Sequence, residues 1–62
     1  MRQWLRAGAT LSVRWDDGLN EYEAILFDRS NNTLADGNGR NVEEAIENCA
    51  ANIDDVPMGA LA

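Results

Sequence analysis

The sequence lacks histidine and lysine, and it has one cysteine and one proline among 62 residues. Without His or Lys, the usual general bases and amine nucleophiles are missing, which disfavours enzymatic catalysis. The lone Cys49 excludes an internal disulfide, and the absence of Cys/His clusters disfavours a structural zinc site. We therefore expect a protein that is not an enzyme, with no catalytic residues, no cofactor and no metal site.

Positive charge is also scarce, because eleven Asp and Glu residues oppose five Arg and the net charge is −6. Direct binding to nucleic-acid phosphates needs a basic surface, so this balance argues against it. It fits a basic protein partner, including one that itself binds nucleic acid.

No apolar run is long enough for a membrane span, and residues 1–10 lack the apolar segment of a signal peptide. We expect no membrane contact and a cytoplasmic location, in a bacterium or, for a phage-encoded chain, in its host.

A chain of this length buries only a small hydrophobic core, and no disulfide or metal ion is expected to stabilise it. Association is the remaining way to bury more surface. We therefore expect a homodimer that forms through an outer sheet face or through the edge of the first or third strand.

The pattern of residues 41–53 predicts an amphipathic helix. Apolar residues recur with helical spacing and should form one buried stripe, with Ile46 at its centre, made of Val42, Ala45, Ile46, Cys49 and Ile53. Asn41 is a favoured N-cap, and Glu44 is placed to bond back to its N–H, as in a capping box. On this stripe Cys49 should be a buried, unreactive thiol.

Residues 10–16 alternate between apolar and polar side chains, which predicts a half-buried strand. Asp17-Gly18 predicts a hairpin to a second strand over residues 21–28. A two-residue loop pairs Arg14 with Glu21, whereas a four-residue loop, residues 17–20, shifts the pairing by two and keeps the same faces. In both cases the helix stripe should cover one apolar face, formed by Leu11, Val13, Trp15, Tyr22, Ala24 and Leu26.

A turn at Ser30-Asn31-Asn32-Thr33 leads to a short third strand over residues 33–36. Gly37-Asn38-Gly39 is then interpreted as the corner that turns the chain into the helix. The predicted fold is α+β, a three-stranded antiparallel meander with one helix packed across it, over residues 10–53. Residues 54–62 are expected to form a flexible tail.

The other sheet face also carries large apolar side chains. Ile25 and Phe27 point away from the helix, and a two-residue turn at Asn31-Asn32 would add Leu34 to them. An exposed apolar patch of this kind marks an interface. The alternative is that residues 1–9 or the tail fold over it.

Residues 1–9 are predicted to be an extra strand or a loose arm. Trp4 and Leu5 would pack over the edge of the core. Alternatively, Trp4 with Arg2 and Arg6 would form an aromatic and basic arm that touches a partner.

Several short motifs resemble the core of HicB-like antitoxin domains. They lie within residues 11–53 and are Asp17-Gly18, Tyr22-Glu23-Ala24, Phe27-Asp28, Ala35-Asp36-Gly37 and the start of the helix at Val42-Glu43-Glu44-Ala45-Ile46-Glu47-Asn48. The resemblance implies a β-β-β-α core that binds and neutralises a protein. The family's Pro-rich segment after the second strand is here Phe27-Asp28-Arg29-Ser30-Asn31. The C-terminal DNA-binding part of many members is absent, so operator binding is not implied.

The sequence thus favours a small acidic binding protein that inhibits or neutralises a protein partner, as an antitoxin does. One alternative is a phage-type anti-defence inhibitor, such as an anti-CRISPR protein or nucleic-acid mimic, and another is a structural homo-oligomeric assembly module. The predicted partner-binding residues are the outward apolar side chains and nearby acids, namely Ile25, Phe27, Leu34, Glu21, Glu23, Glu43, Glu44 and Glu47.

Overall fold

Five elements succeed one another in residues 1–57, the part of the chain described by the structure, a computed structural model. They are α1 (Arg2–Arg6), β1 (Thr10–Asp16), β2 (Glu21–Phe27), β3 (Thr33–Gly39) and α2 (Val42–Ile53). The strands form one antiparallel sheet in the order β1-β2-β3, and α2 packs across one face of it. The predicted α+β meander with a covering helix is confirmed. Of the predicted tail, residues 58–62 lie outside the described residues.

The β1–β2 hairpin has a four-residue loop, because Asp16 pairs with Glu21. The four-residue alternative is therefore confirmed, and Arg14 lies opposite Glu23 instead of Glu21. The Asp16 carboxylate accepts hydrogen bonds from the backbone N–H groups of Gly18 and Leu19, at 2.9 and 3.3 Å. These bonds stabilise the turn, because a short acidic side chain can accept from backbone N–H groups two or three residues later.

The β2–β3 connection is built around Asp28. Its carboxylate accepts from the backbone N–H groups of Ser30 and Asn32, at 2.8 and 2.9 Å, and from the Asn32 side chain. The hydrogen bond from the Asn32 backbone is the main cause that lowers the pKa of Asp28, because it favours the charged carboxylate. Asn31 takes the left-handed conformation, with φ 66°, which the turn prediction anticipated for an Asn.

Strand β3 extends to Gly39, so the prediction of a glycine corner at residues 37–39 is wrong. Gly37 pairs with Ala24 and Gly39 pairs with Tyr22 inside the sheet. A Cβ at Gly37 would overlap the backbone nitrogen of Cys49, and one at Gly39 would overlap that of Ala45. These glycines therefore serve to bring α2 close to the sheet, and the turn to α2 is left to Arg40 and Asn41.

Helix α2 begins after Asn41, whose side chain accepts from the Glu44 backbone N–H at 2.8 Å, as predicted. The reciprocal bond differs, because the Glu44 carboxylate accepts from Arg40 N–H instead of Asn41 N–H. The buried stripe is also narrower than predicted. Ala45, Cys49 and Ile53 are fully buried, but Ile46 is only half-buried and Val42 is 44 % exposed. The centre of the helix contact is therefore Cys49.

The first residues form the short helix α1, which corrects the prediction of an extra strand or a loose arm. Trp4 is buried in the same core cluster as Leu26 and Cys49, whereas Leu5 is exposed. Gly8 follows with a φ of 111°, and the Arg29 guanidinium donates a hydrogen bond to the Ala7 carbonyl at 2.7 Å. The N-terminal segment therefore adds an aromatic side chain to a core that otherwise contains few large residues.

Candidate interaction surfaces

Helix α2 lies over β3 and β2 and barely reaches β1. As a result, the inner face of the sheet is only partly covered. Leu11 and Val13 are half-buried, and Trp15 is 46 % exposed, although its ring stacks edge-on against Tyr22 with a centroid distance of 5.1 Å. The prediction that α2 covers this whole apolar face is therefore wrong on the β1 side. The offset has a physical cause, since the two glycines of β3 draw the helix toward that strand.

The outer face of the sheet carries a line of predicted residues along β2. Glu21, Glu23, Ile25 and Phe27 alternate with the buried Ala24 and Leu26, so they share the face opposite α2. We call these four residues the sheet patch. Ile25 and Phe27 are half-buried, and neither belongs to the core cluster that includes residues of α1 and α2 or to the side chains packed on it. The described core, to which Trp4 of the N-terminal segment belongs, therefore does not extend to this patch.

The charge of the sheet patch is mainly negative. Arg14 pairs with Glu23, with its Nη2 at 2.8 Å from Oε1, and an exposed pair of this kind contributes little stability. At the hairpin end, Asp16 lies directly opposite Glu21, and two like charges in this position repel each other. An acidic group of a partner would be repelled there, and a basic group would relieve the repulsion.

Two predicted partner-binding residues also take part in the fold. Leu34 lies at the register shift between Leu26 and Phe27, because Phe27 pairs with Thr33 and Leu26 with Ala35. It packs against the core, whereas Ile25 and Phe27 do not, which differs from the prediction based on a two-residue turn. Glu44 accepts the Arg40 N–H at the start of α2 and so takes part in the helix cap.

The remaining predicted residues, Glu43 and Glu47, are exposed on α2. We call them the helix patch. Because α2 packs on the inner face, the helix patch and the sheet patch lie on opposite sides of the sheet. The eight predicted residues therefore do not form one continuous surface, and a single flat partner would contact only one of the two patches.

Two carbonyls at the edge of β3 are bonded by residues that were not predicted from the sequence. The side-chain amides of Asn48 and Asn52 donate to the backbone carbonyls of Asn38 and Asp36. The spacing of four residues places both Asn side chains on one side of α2, next to the buried stripe. That spacing was the available signal, since polar amides flanking an apolar stripe are well placed to bond an adjacent strand edge.

The edge of β1 has no comparable cover within residues 1–57. Its hydrogen-bonding partner is β2 on one side, and no backbone or side-chain bond from another described residue reaches its other side. An edge strand with free N–H and C=O groups is a template for pairing with another chain. Strand β1 is also the strand that α2 barely covers on the inner face.

The chemical groups of residues 1–57 include one thiol and several carboxylates. Cys49 is buried as predicted, and burial is the main cause that raises the pKa of its thiol, so the reactive thiolate is disfavoured. Among the described residues, no group of three or more His, Cys, Asp or Glu is arranged to hold a metal ion.

Two further results concern the chain as a whole. Within the described residues, no helix has the length and apolar character needed to cross a membrane. Comparisons with protein-family models, with curated proteins and with solved structures found no match to this chain.

Proposed function

We propose that this chain is a small, non-enzymatic binding protein that inhibits or neutralises a basic protein partner in the cytoplasm, in the manner of an antitoxin. The observation that carries the proposal is the sheet patch. Two large apolar side chains, Ile25 and Phe27, lie there beside Glu21 and Glu23 on the face opposite α2 and outside the described hydrophobic core. The resemblance of residues 11–53 to HicB-like domains supports the same role.

Charge supports a basic partner. The outer face carries four acidic residues, of which one is paired with Arg14, and the whole chain has a net charge of −6. The four acids lie on all three strands and are Asp16, Glu21, Glu23 and Asp36. Complementary potentials accelerate association and reject partners of the wrong sign. The apolar pair would supply affinity, and the acids around it would supply selectivity.

The proposal is tested by charge reversal on the sheet patch. Immobilised protein is used to capture its partner from the native host, and the captured protein is then assayed with and without the added chain. Glu21→Arg should reduce capture at least tenfold, because it places a positive charge at the contact with a basic partner. The same change should favour folding, since Arg at this position would attract Asp16 across the hairpin. We therefore expect the variant to remain folded, so that lost capture reports on binding.

The matched control is Glu47→Arg on the helix patch, which changes the charge by the same amount on the opposite side of the sheet. We expect it to capture the partner nearly as well as the unchanged chain. Equal loss in both variants would mean that net charge, and not the sheet patch, controls binding. A captured partner whose activity is unchanged by the chain would contradict the inhibitory role.

A further inference from the structure

We infer that two copies of this chain pair antiparallel through β1 and form a continuous six-stranded sheet. The inference rests on the edges of the sheet and does not depend on the proposed inhibitory function. Two carbonyls of the β3 edge are bonded by Asn48 and Asn52, whereas the outer edge of β1 has no hydrogen-bond partner among the described residues. The two edges are therefore not equivalent, and β1 is the edge open to a second copy.

The direction of the free backbone groups follows from the alternation of an antiparallel ladder. The carbonyls of Asp36 and Asn38 accept hydrogen bonds from α2, so they point to the outer edge of β3. The residues of β3 that alternate with these two therefore bond to β2. The residues of β2 that do not bond to β3 must bond to β1, and their partners there include Ser12 and Arg14. This leaves one set of N–H and C=O groups pointing outward from β1, those of Leu11, Val13 and Trp15.

The same three residues present their side chains on the inner face, where α2 leaves them incompletely covered. A two-fold axis at Val13 places this residue opposite its own copy and places Leu11 opposite Trp15 of the second copy. The exposed indole of Trp15 would then contact an apolar neighbour across the strands. A single register therefore pairs the free backbone groups of β1 and buries its apolar side chains. All seven residues of β1 take part in this pairing.

The charged residues on the outer face are compatible with this register. Arg14 falls opposite Ser12 of the second copy, and Asp16 falls opposite Thr10, so no like charges face each other between the two β1 strands. The net charge of −6 on each chain opposes association at long range, and added salt should weaken this repulsion and tighten the dimer. An apolar contact between neutral partners would show no such increase.

The test compares two variants that add the same charge at neighbouring positions. Val13→Glu places two carboxylates opposite each other at the axis, and Val13 is not fully buried, so the monomer should still fold. Ser12→Glu places the carboxylate opposite Arg14 of the second copy. By light scattering and sedimentation, we expect the dimer dissociation constant to rise by about tenfold or more in Val13→Glu. It should stay equal or fall in Ser12→Glu.

A wild type that remains monomeric at about 100 μM would overturn the inference, since that concentration corresponds to weak association. Equal weakening by both variants would also overturn it, because the axis would then lie elsewhere. Circular dichroism of each variant establishes that the fold is retained. If Val13→Glu fails to fold, Val13→Thr serves instead and should weaken the dimer without added charge.

Discussion

At the scale of single residues, the fold depends on side chains that are small or absent. Gly37 and Gly39 admit the backbone of α2, and the core cluster contains few large residues besides Trp4, Leu26 and Ile53. Close backbone approach replaces side-chain volume in this small core. A single added methyl group on the inner face of β3 should therefore have a large effect.

Gly37→Ala should destabilise the fold by about 1–3 kcal/mol, because the new Cβ meets the backbone of α2, which cannot rotate away. Urea denaturation followed by circular dichroism measures the change in the free energy of unfolding. Gly18→Ala is the matched control, since its Cβ would lie 3.3 Å from a carboxylate oxygen of Asp16 in an exposed turn. Equal stability of both variants would contradict the close packing of α2 on β3.

Asp28 should make stability depend on acid pH. Its pKa is lowered in the folded chain, so it contributes stability above its ordinary pKa, and this contribution is lost as pH falls through the lowered folded value. Asp28→Asn should therefore reduce stability at neutral pH and flatten the acid limb of a stability profile. Glu47→Gln removes one carboxylate outside this turn and is the control. An unchanged acid limb in Asp28→Asn would show that the turn bonds are not maintained in solution.

Residue roles were only partly predictable from the sequence. The N-cap at Asn41 and the burial of Cys49 follow from local pattern, and both are confirmed. The role of the β3 glycines was missed because Gly-Asn-Gly also suits a turn, and only the approach of a distant helix distinguishes the two. The packing of Leu34 against the core was missed because the register shift between Leu26 and Phe27 is not visible in the sequence.

At the scale of elements, the position of α2 determines which surfaces remain available. The helix is drawn toward β3 by the two glycines and held there by Asn48 and Asn52. Its stripe is consequently centred on Cys49, with Ile46 at the margin facing away from β3. The periodic pattern predicted the helix and its bounds, but a pattern does not fix the rotation of a helix on its sheet.

This rotation is tested by placing a carboxylate at two positions of α2. Ala45→Asp should unfold the domain, because an unpaired buried carboxylate costs several kcal/mol, comparable with the total of about 5 kcal/mol for a small domain. Ile46→Asp should cost only about 1–2 kcal/mol, since Ile46 is half-buried and the carboxylate can reach water. Thermal melts compare the two. A greater loss in Ile46→Asp would favour the stripe predicted from the sequence.

The N-terminal helix is the element that sequence reasoning predicted least well. Five residues, Arg2–Arg6, are too few to show a period, and the helix forms because Trp4 packs into the core. The expectation that Trp4 packs against the core is confirmed, while Leu5 stays exposed. Tertiary burial, and not local propensity, therefore explains this helix.

At the scale of the whole molecule, two surfaces of residues 1–57 lie away from α2. The outer face does so because α2 packs on the inner face, and the β1 edge does so because α2 is offset toward β3. The sheet patch on the outer face is the surface that we assign to a partner, and the β1 edge is the surface that we assign to a second copy. The two uses are compatible, because edge pairing extends the sheet sideways and leaves its outer face free. A dimer would then present two sheet patches on one continuous face.

The central claim is that β1 is an open edge whose outward groups belong to Leu11, Val13 and Trp15. Amide hydrogen exchange, followed residue by residue by nuclear magnetic resonance at increasing protein concentration, tests it most directly. We predict that Ser12 and Arg14 exchange slowly at every concentration, because they bond to β2. Leu11, Val13 and Trp15 should exchange rapidly in dilute protein and slowly in concentrated protein. Slow exchange of these three amides at every dilution would contradict the account, since the edge would then be covered within the single chain.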